Sequence, residues 1–154
     1  MAGKASGEIS EDRKAVASLF ASSIDTSTIA PKCDVIFVYC HIKDDGCIES
    51  SSQSLREIIR DSGAAVVVVA TENSAAAYIA AGKKQNFGNA NLVMTLGRKG
   101  EAFGNFFQRL FSEMKKGISM PVAWVKLAPQ GPDSEHSDCP DTIFACEVGQ
   151  LAFR

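Results

Sequence analysis

DVIFVYCHI, residues 34–42, is the stretch on which the fold turns. It is rich in β-branched and aromatic residues and does not alternate with polar ones. Such a run suits a strand covered on both faces, as at the centre of a parallel sheet. AAVVVVAT, residues 64–71, reads the same way, and NLVMTLG, residues 91–97, supplies a third strand.

The segments between these runs carry the period and punctuation of helices. SSSQSLREIIRDSG offers a Ser cluster as N-cap, Leu55, Ile58 and Ile59 on one face, and Gly63 as terminator. NSAAAYIAAG reads as a compact helix with Asn73 as N-cap and Gly82 as stop. EAFGNFFQRLFSEMKKG sets Phe103, Phe106, Phe107, Leu110 and Met114 at helical spacing. Lys115 and Lys116 fall at the negative end of its dipole, and Gly117 ends it.

Outside this block, SEDRKAVASLFASS from Ser10 onward reads as a short amphipathic helix with Val16, Leu19 and Phe20 on one side. Residues 118–128, ISMPVAWVKLA, suit a helix starting near Ser119 and Pro121, although the valines would also fit a strand. QGPDSEHSDCPD is a polar loop, and TIFACEVGQLAF closes the chain as a strand with a turn or bulge at Gly149.

Strands alternating with helices imply right-handed crossovers and a mainly parallel sheet. The expectation is a single-domain, three-layer α/β/α sandwich over residues 10–154, preceded by a flexible N-terminus, residues 1–9. A chain of 154 residues is long enough to bury one substantial core.

The formal net charge of -2 argues against general nucleic-acid binding, which would leave an excess of Lys and Arg. MAGKASGEISEDRK has no apolar h-region, and AAVVVVA at residues 64–70 is too short to cross a bilayer. A soluble, cytoplasmic protein without membrane partners is expected. The 5 cysteines are odd in number, irregularly spaced and free of any CxxC pair, so reduced thiols are expected rather than a disulfide framework.

Ligands collect beyond the carboxyl ends of strands in an open parallel sheet. The first strand delivers His41, Lys43, Asp44 and Asp45 there; the second delivers Thr71, Glu72 and Asn73. The third delivers Gly97, Arg98, Lys99 and Gly100. Adjacent strand residues point to opposite faces, so Cys40 and His41 cannot act on each other as nucleophile and base. Cys40 reads as a small buried hydrophobe. His41 stands at the rim, where an imidazole can serve as base or ligand. Its thiol partner in sequence is Cys47, which a flexible loop would have to fold back towards it.

His41, Cys47, His136 and Cys139 could be gathered as a metal set, but HIKDDGC and HSDC match no common zinc spacing, and neither metal nor cofactor is expected. LGRKGEAFG turns from strand to helix and presents Arg98, Lys99 and the Gly100 amide in a manner suited to an anion, with Glu101 opposing. The phenylalanines of the following helix are most simply core, with a partner surface as the alternative.

Taken in order, the pieces from residue 34 onward resemble the later part of the caspase-like CHAT domains. DVIFVYCH looks like that family's strand ending in the catalytic histidine, and SGAAVVVVATEN is similar to the next strand, near whose end the catalytic cysteine stands. ANLVMTLG with its Phe-rich helix, KKGISMPVAW and CPDTIFACEVGQLAF resemble the strand, helices and closing strand that follow. Two departures bear on activity. His41 is followed by Ile42 rather than Gly, and Ala70, Thr71 and Glu72 occupy the place of the cysteine. The resemblance therefore carries over His41 but no thiol nucleophile. Neighbouring strands lie about 4.8 Å apart, so Thr71 is expected within reach of His41.

Three roles follow. The first is a caspase-like binding or regulatory module without catalysis, taking an unknown protein partner. The second is a small Cys/His or Thr/His hydrolase with His41 as base, Glu72 or Asp44 orienting it, and Cys47, Thr71 or water as nucleophile. The third binds a small anionic ligand, with Asp44, Asn73, Arg98, Lys99 and Gly100 as binding candidates. A homodimer is compatible with all three, and whether the protein is an enzyme stays open.

Overall fold

The computed structural model describes residues 5–24, 31–49, 51, 53–82, 90–128 and 139–146. The chain divides into two compact units. Residues 130–138 of the expected polar loop, His136 among them, the Gly149 bulge, the stretch 83–89 and residues 1–4 lie outside the described residues.

The first unit runs through Thr26–Gly97 and Thr142–Val148. Its strands are β1 (Val35–Val38), β2 (Val66–Val69) and β3 (Asn91–Gly97), with β4 (Asp141–Cys146) contributed almost entirely by the same unit. They form one sheet in the order β1-β2-β3-β4. β1, β2 and β3 are parallel, with Val35 level with Val66 and Val66 level with Asn91. The fold is therefore α/β with a largely parallel open sheet, as the apolar runs and their spacing imply.

Each crossover carries one helix, α2 (Leu55–Ser62) and α3 (Ala75–Gly82). Because the strands follow one another in sequence order, right-handed crossovers deliver both helices to the same face. Leu55, Ile58 and Ile59 of α2 and Tyr78 of α3 accordingly share one core cluster with Val67, Val69, Leu92 and Met94. Val66, Val68 and Val93, which point to the other face, have 0% exposure as well. Strands closed to water on both sides explain why these sequences do not alternate.

α2 begins with a reciprocal cap. The Glu57 N–H donates to Ser54 Oγ at 3.2 Å, and the Ser54 N–H donates to the Glu57 carboxylate at 2.8 Å. Two donors that a helix start leaves unpaired are thereby satisfied. Gly63 ends the helix at φ 65°, a left-handed conformation that a side chain would resist.

The second unit takes in Ala2–Asp25 and Arg98–Asp141. It contains α1 (Ala5–Val16), a 3-10 turn (Ala17–Leu19), α4 (Ala102–Met114) and α5 (Met120–Leu127). α1 starts at Ala5, ahead of the Ser10 start expected from the acidic first turn, so part of the expected flexible segment is helical. The ambiguous segment at 118–128 is helical, with Ser119 at the N-cap position and Pro121 in the first turn.

α4 is the centre of this unit. Phe103, Phe106, Phe107, Leu110, Phe111 and Met114 are fully buried, which makes them core. Burial of each such side chain stabilises by roughly 1.5–3 kcal/mol. Phe106 meets Trp124 of α5 edge-on at 4.9 Å, and Phe111 meets Phe20 edge-on at 5.6 Å. Lys115 at the helix end donates to the Leu19 carbonyl at 2.9 Å.

Gly104 is the third residue of α4, and within a helix Gly is disfavoured by about 1 kcal/mol relative to Ala. A Cβ there would stand 3.0 Å from Asp12 Oδ1 and 3.1 Å from Asp12 Cα. The missing side chain is what lets α1 approach.

Candidate functional site at the strand ends

At the carboxyl ends of β1, β2 and β3, one residue, Asn73, ties the three strands together through its side chain and its backbone N–H. The Ile42 N–H, just past β1, donates to Asn73 Oδ1 at 3.0 Å. Asn73 Nδ2 donates to the Thr71 carbonyl at 3.0 Å and to the Tyr78 hydroxyl at 2.9 Å. The Asn73 backbone N–H donates to the Thr95 carbonyl on β3 at 3.3 Å. Tyr78 shares its own proton between the carbonyls of Thr71, at 3.0 Å, and Thr95, at 3.1 Å.

Asn73 was expected to cap α3. Ser74 does so instead, its Oγ accepting the Ala77 N–H at 3.1 Å. The difference has a simple cause: the Asn73 amide is engaged with Ile42, Thr71 and Tyr78, and its neighbour has a hydroxyl free to turn towards the helix. Tyr78 is 1% exposed, and that burial pushes its pKa up to about 12, with the Asn73 hydrogen bond working the other way. Its phenol is a neutral donor here rather than an acid or base.

The segment after His41 is an ordered hairpin rather than a flexible loop. Ile42 and Ile48 form an antiparallel bridge and are both buried. The Gly46 N–H donates to the Lys43 carbonyl at 2.8 Å, and the Lys43 N–H to the Cys47 carbonyl at 2.9 Å. Gly46 takes φ 82° to close the turn. Asp45 Oδ1 accepts the Cys47 N–H at 2.8 Å, which holds its carboxyl below the usual range. A second bridge, Cys47 with Ser54, leads into α2.

This hairpin decides what His41 can meet. With Ile42 and Ile48 turned inward, His41, Lys43, Cys47 and Glu49 fall on the other side. The Glu49 N–H donates to the His41 carbonyl at 2.9 Å, so Glu49 stands opposite His41 and Cys47 lies on the diagonal. His41 is exposed, and its imidazole makes no hydrogen bond among the described residues. Glu49 was not among the sequence candidates. The signal for it was the Asp-Gly pair at 45–46, a hairpin turn signature.

Cys47 is half-buried, and its thiol is raised in pKa by that burial and then by the Asp45 carboxylate. A raised pKa lowers the thiolate fraction that nucleophilic attack requires. Strand pairing ends at Val38 and Val69; counted onward, Cys40 is level with Thr71 and His41 with Glu72. Thr71 is half-buried, and among the described residues no base is hydrogen-bonded to its hydroxyl. Glu72 and Asp44 are exposed. Cys40 packs against the core cluster.

Arg98, Lys99 and Gly100 belong to the second unit. Arg98 Nη2 is 2.9 Å from Asp12 Oδ2, with the two side chains 11% and 5% exposed. The same guanidinium lies 4.1 Å over the Phe103 ring. Lys99 pairs with Asp141 at 2.9 Å on the surface. Lys99 and Gly100 both take positive φ, 61° and 66°, and form the turn into α4.

Among the described residues no group of His, Cys, Asp and Glu is placed to hold a metal, and no helix is long and apolar enough to cross a membrane. Cys33, Cys40, Cys47 and Cys139 are free thiols, and burial and Asp34 raise the pKa of Cys33. The architecture defines an α/β protein with polar residues gathered at the strand ends. No family model, no curated protein and no solved structure matches the chain.

Proposed function

We propose that this chain is a non-catalytic binding or regulatory module built on a caspase-like, single-domain, three-layer α/β/α sandwich. The observation that carries the reading is the Asn73–Tyr78 hydrogen-bond knot. It uses the Asn73 amide and the Tyr78 phenol to satisfy backbone groups at Ile42, Thr71 and Thr95, so these two polar side chains serve to hold the rim together rather than to face a reacting centre.

The hydrolase alternative has weaker support. Cys47 is diagonal to His41 and raised in pKa, while Thr71 is level with Cys40. The anionic-ligand alternative is weakened by the carboxylate partners of Arg98 and Lys99. The module is proposed to work in the cytoplasm on a protein partner. That partner would read the exposed residues of the rim hairpin, His41, Lys43, Asp44 and Glu49. A homodimer remains compatible with it.

The test is thiol labelling with an iodoacetamide probe at neutral pH, resolved by residue. Slow labelling of Cys47 that is unchanged in His41→Ala is the expected outcome. Fast labelling of Cys47 that collapses in His41→Ala would replace this reading with the hydrolase.

A further inference from the structure

We draw no further inference here: the strongest candidate, the outer face of the uncharged helix α3, where Ala75, Ala76 and Ile79 are exposed, carries nothing because no observation in the structure shows what covers it.

Discussion

Asn73 accepts the Ile42 N–H at 3.0 Å, joining the root of the rim hairpin to the end of a strand one crossover later in the chain. Its Nδ2 is at the same time bonded to the Thr71 carbonyl and the Tyr78 hydroxyl. One amide thus supplies an acceptor to β1's extension and a donor to the Thr71 carbonyl at β2's end, beside the one Tyr78 gives it.

Asn73→Ala should therefore cost more than the loss of a helix cap. It strands the Ile42 N–H and leaves Thr71 and Tyr78 each short of a partner, an expected loss of about 1–3 kcal/mol. Ser74→Ala, which removes the actual cap of α3, should cost about 1 kcal/mol. Urea unfolding of the two variants separates these roles. Amide exchange at Ile42 adds a local reading, accelerated in Asn73→Ala and unchanged in Ser74→Ala. Equal costs, with Ile42 still protected, would return Asn73 to an ordinary surface residue.

Tyr78 gives the same knot a pH signature. Its pKa is raised by burial from an ordinary 10.0 to about 12, so the folded protein holds this proton more tightly than the unfolded chain. The associated stability is complete below pH 10 and is lost as pH rises through about 12. Other groups titrate in that range, so the measurement is a comparison. The stability difference between the native protein and Tyr78→Phe should be constant from pH 7 to 9 and shrink above pH 10. A difference independent of pH would mean that the phenol is not sealed from water.

How much of this was readable beforehand depends on the kind of interaction. The strands and their parallel pairing follow from runs such as Val66–Val69, whose lack of alternation already demands cover on both faces. The cap of α2 lay within the Ser cluster that the sequence offers, and the structure picks out Ser54, which has Glu57 three residues on. What escaped are contacts between segments distant in sequence. Nothing near Asn73 shows that its amide will reach Ile42, and helix propensity alone favours Asn73 and Ser74 equally as caps. The hairpin at 42–48 had a local signal in Asp45-Gly46, but its consequence, Glu49 opposite His41, needs the register as well.

Gly104 is the place where a favourable local change should fail. Ala is the better helix former by about 1 kcal/mol, so Gly104→Ala would stabilise an exposed helix. Here the new methyl would press on the Asp12 backbone at 3.1 Å and on the Ala15 Cβ at 3.2 Å. Backbone atoms cannot swing aside as a flexible side chain does. The expected result is a net loss of about 1 kcal/mol from overpacking, larger for Gly104→Val. Thermal unfolding reads this directly, and a raised Tm for Gly104→Ala would show that α1 gives way at no cost.

Arg98 provides the last and largest effect. Its ion pair with Asp12 is nearly sealed, at 11% and 5% side-chain exposure, and the guanidinium also covers the Phe103 ring. Arg98→Ala leaves the Asp12 carboxylate buried without this partner, which should cost about 3–5 kcal/mol. Asp12→Ala does the converse to Arg98. Because each single change includes the penalty of stranding a charge, the double variant should lose less than the two losses added together. Arg98→Lys should rescue only in part, since an ammonium reproduces neither the planar fork nor the stacking on Phe103. A double-mutant cycle by denaturant unfolding tests the coupling. Strict additivity, or a stability of the native pair that falls steeply with added salt, would instead identify an exposed surface bridge and would free Arg98 to receive an anionic ligand.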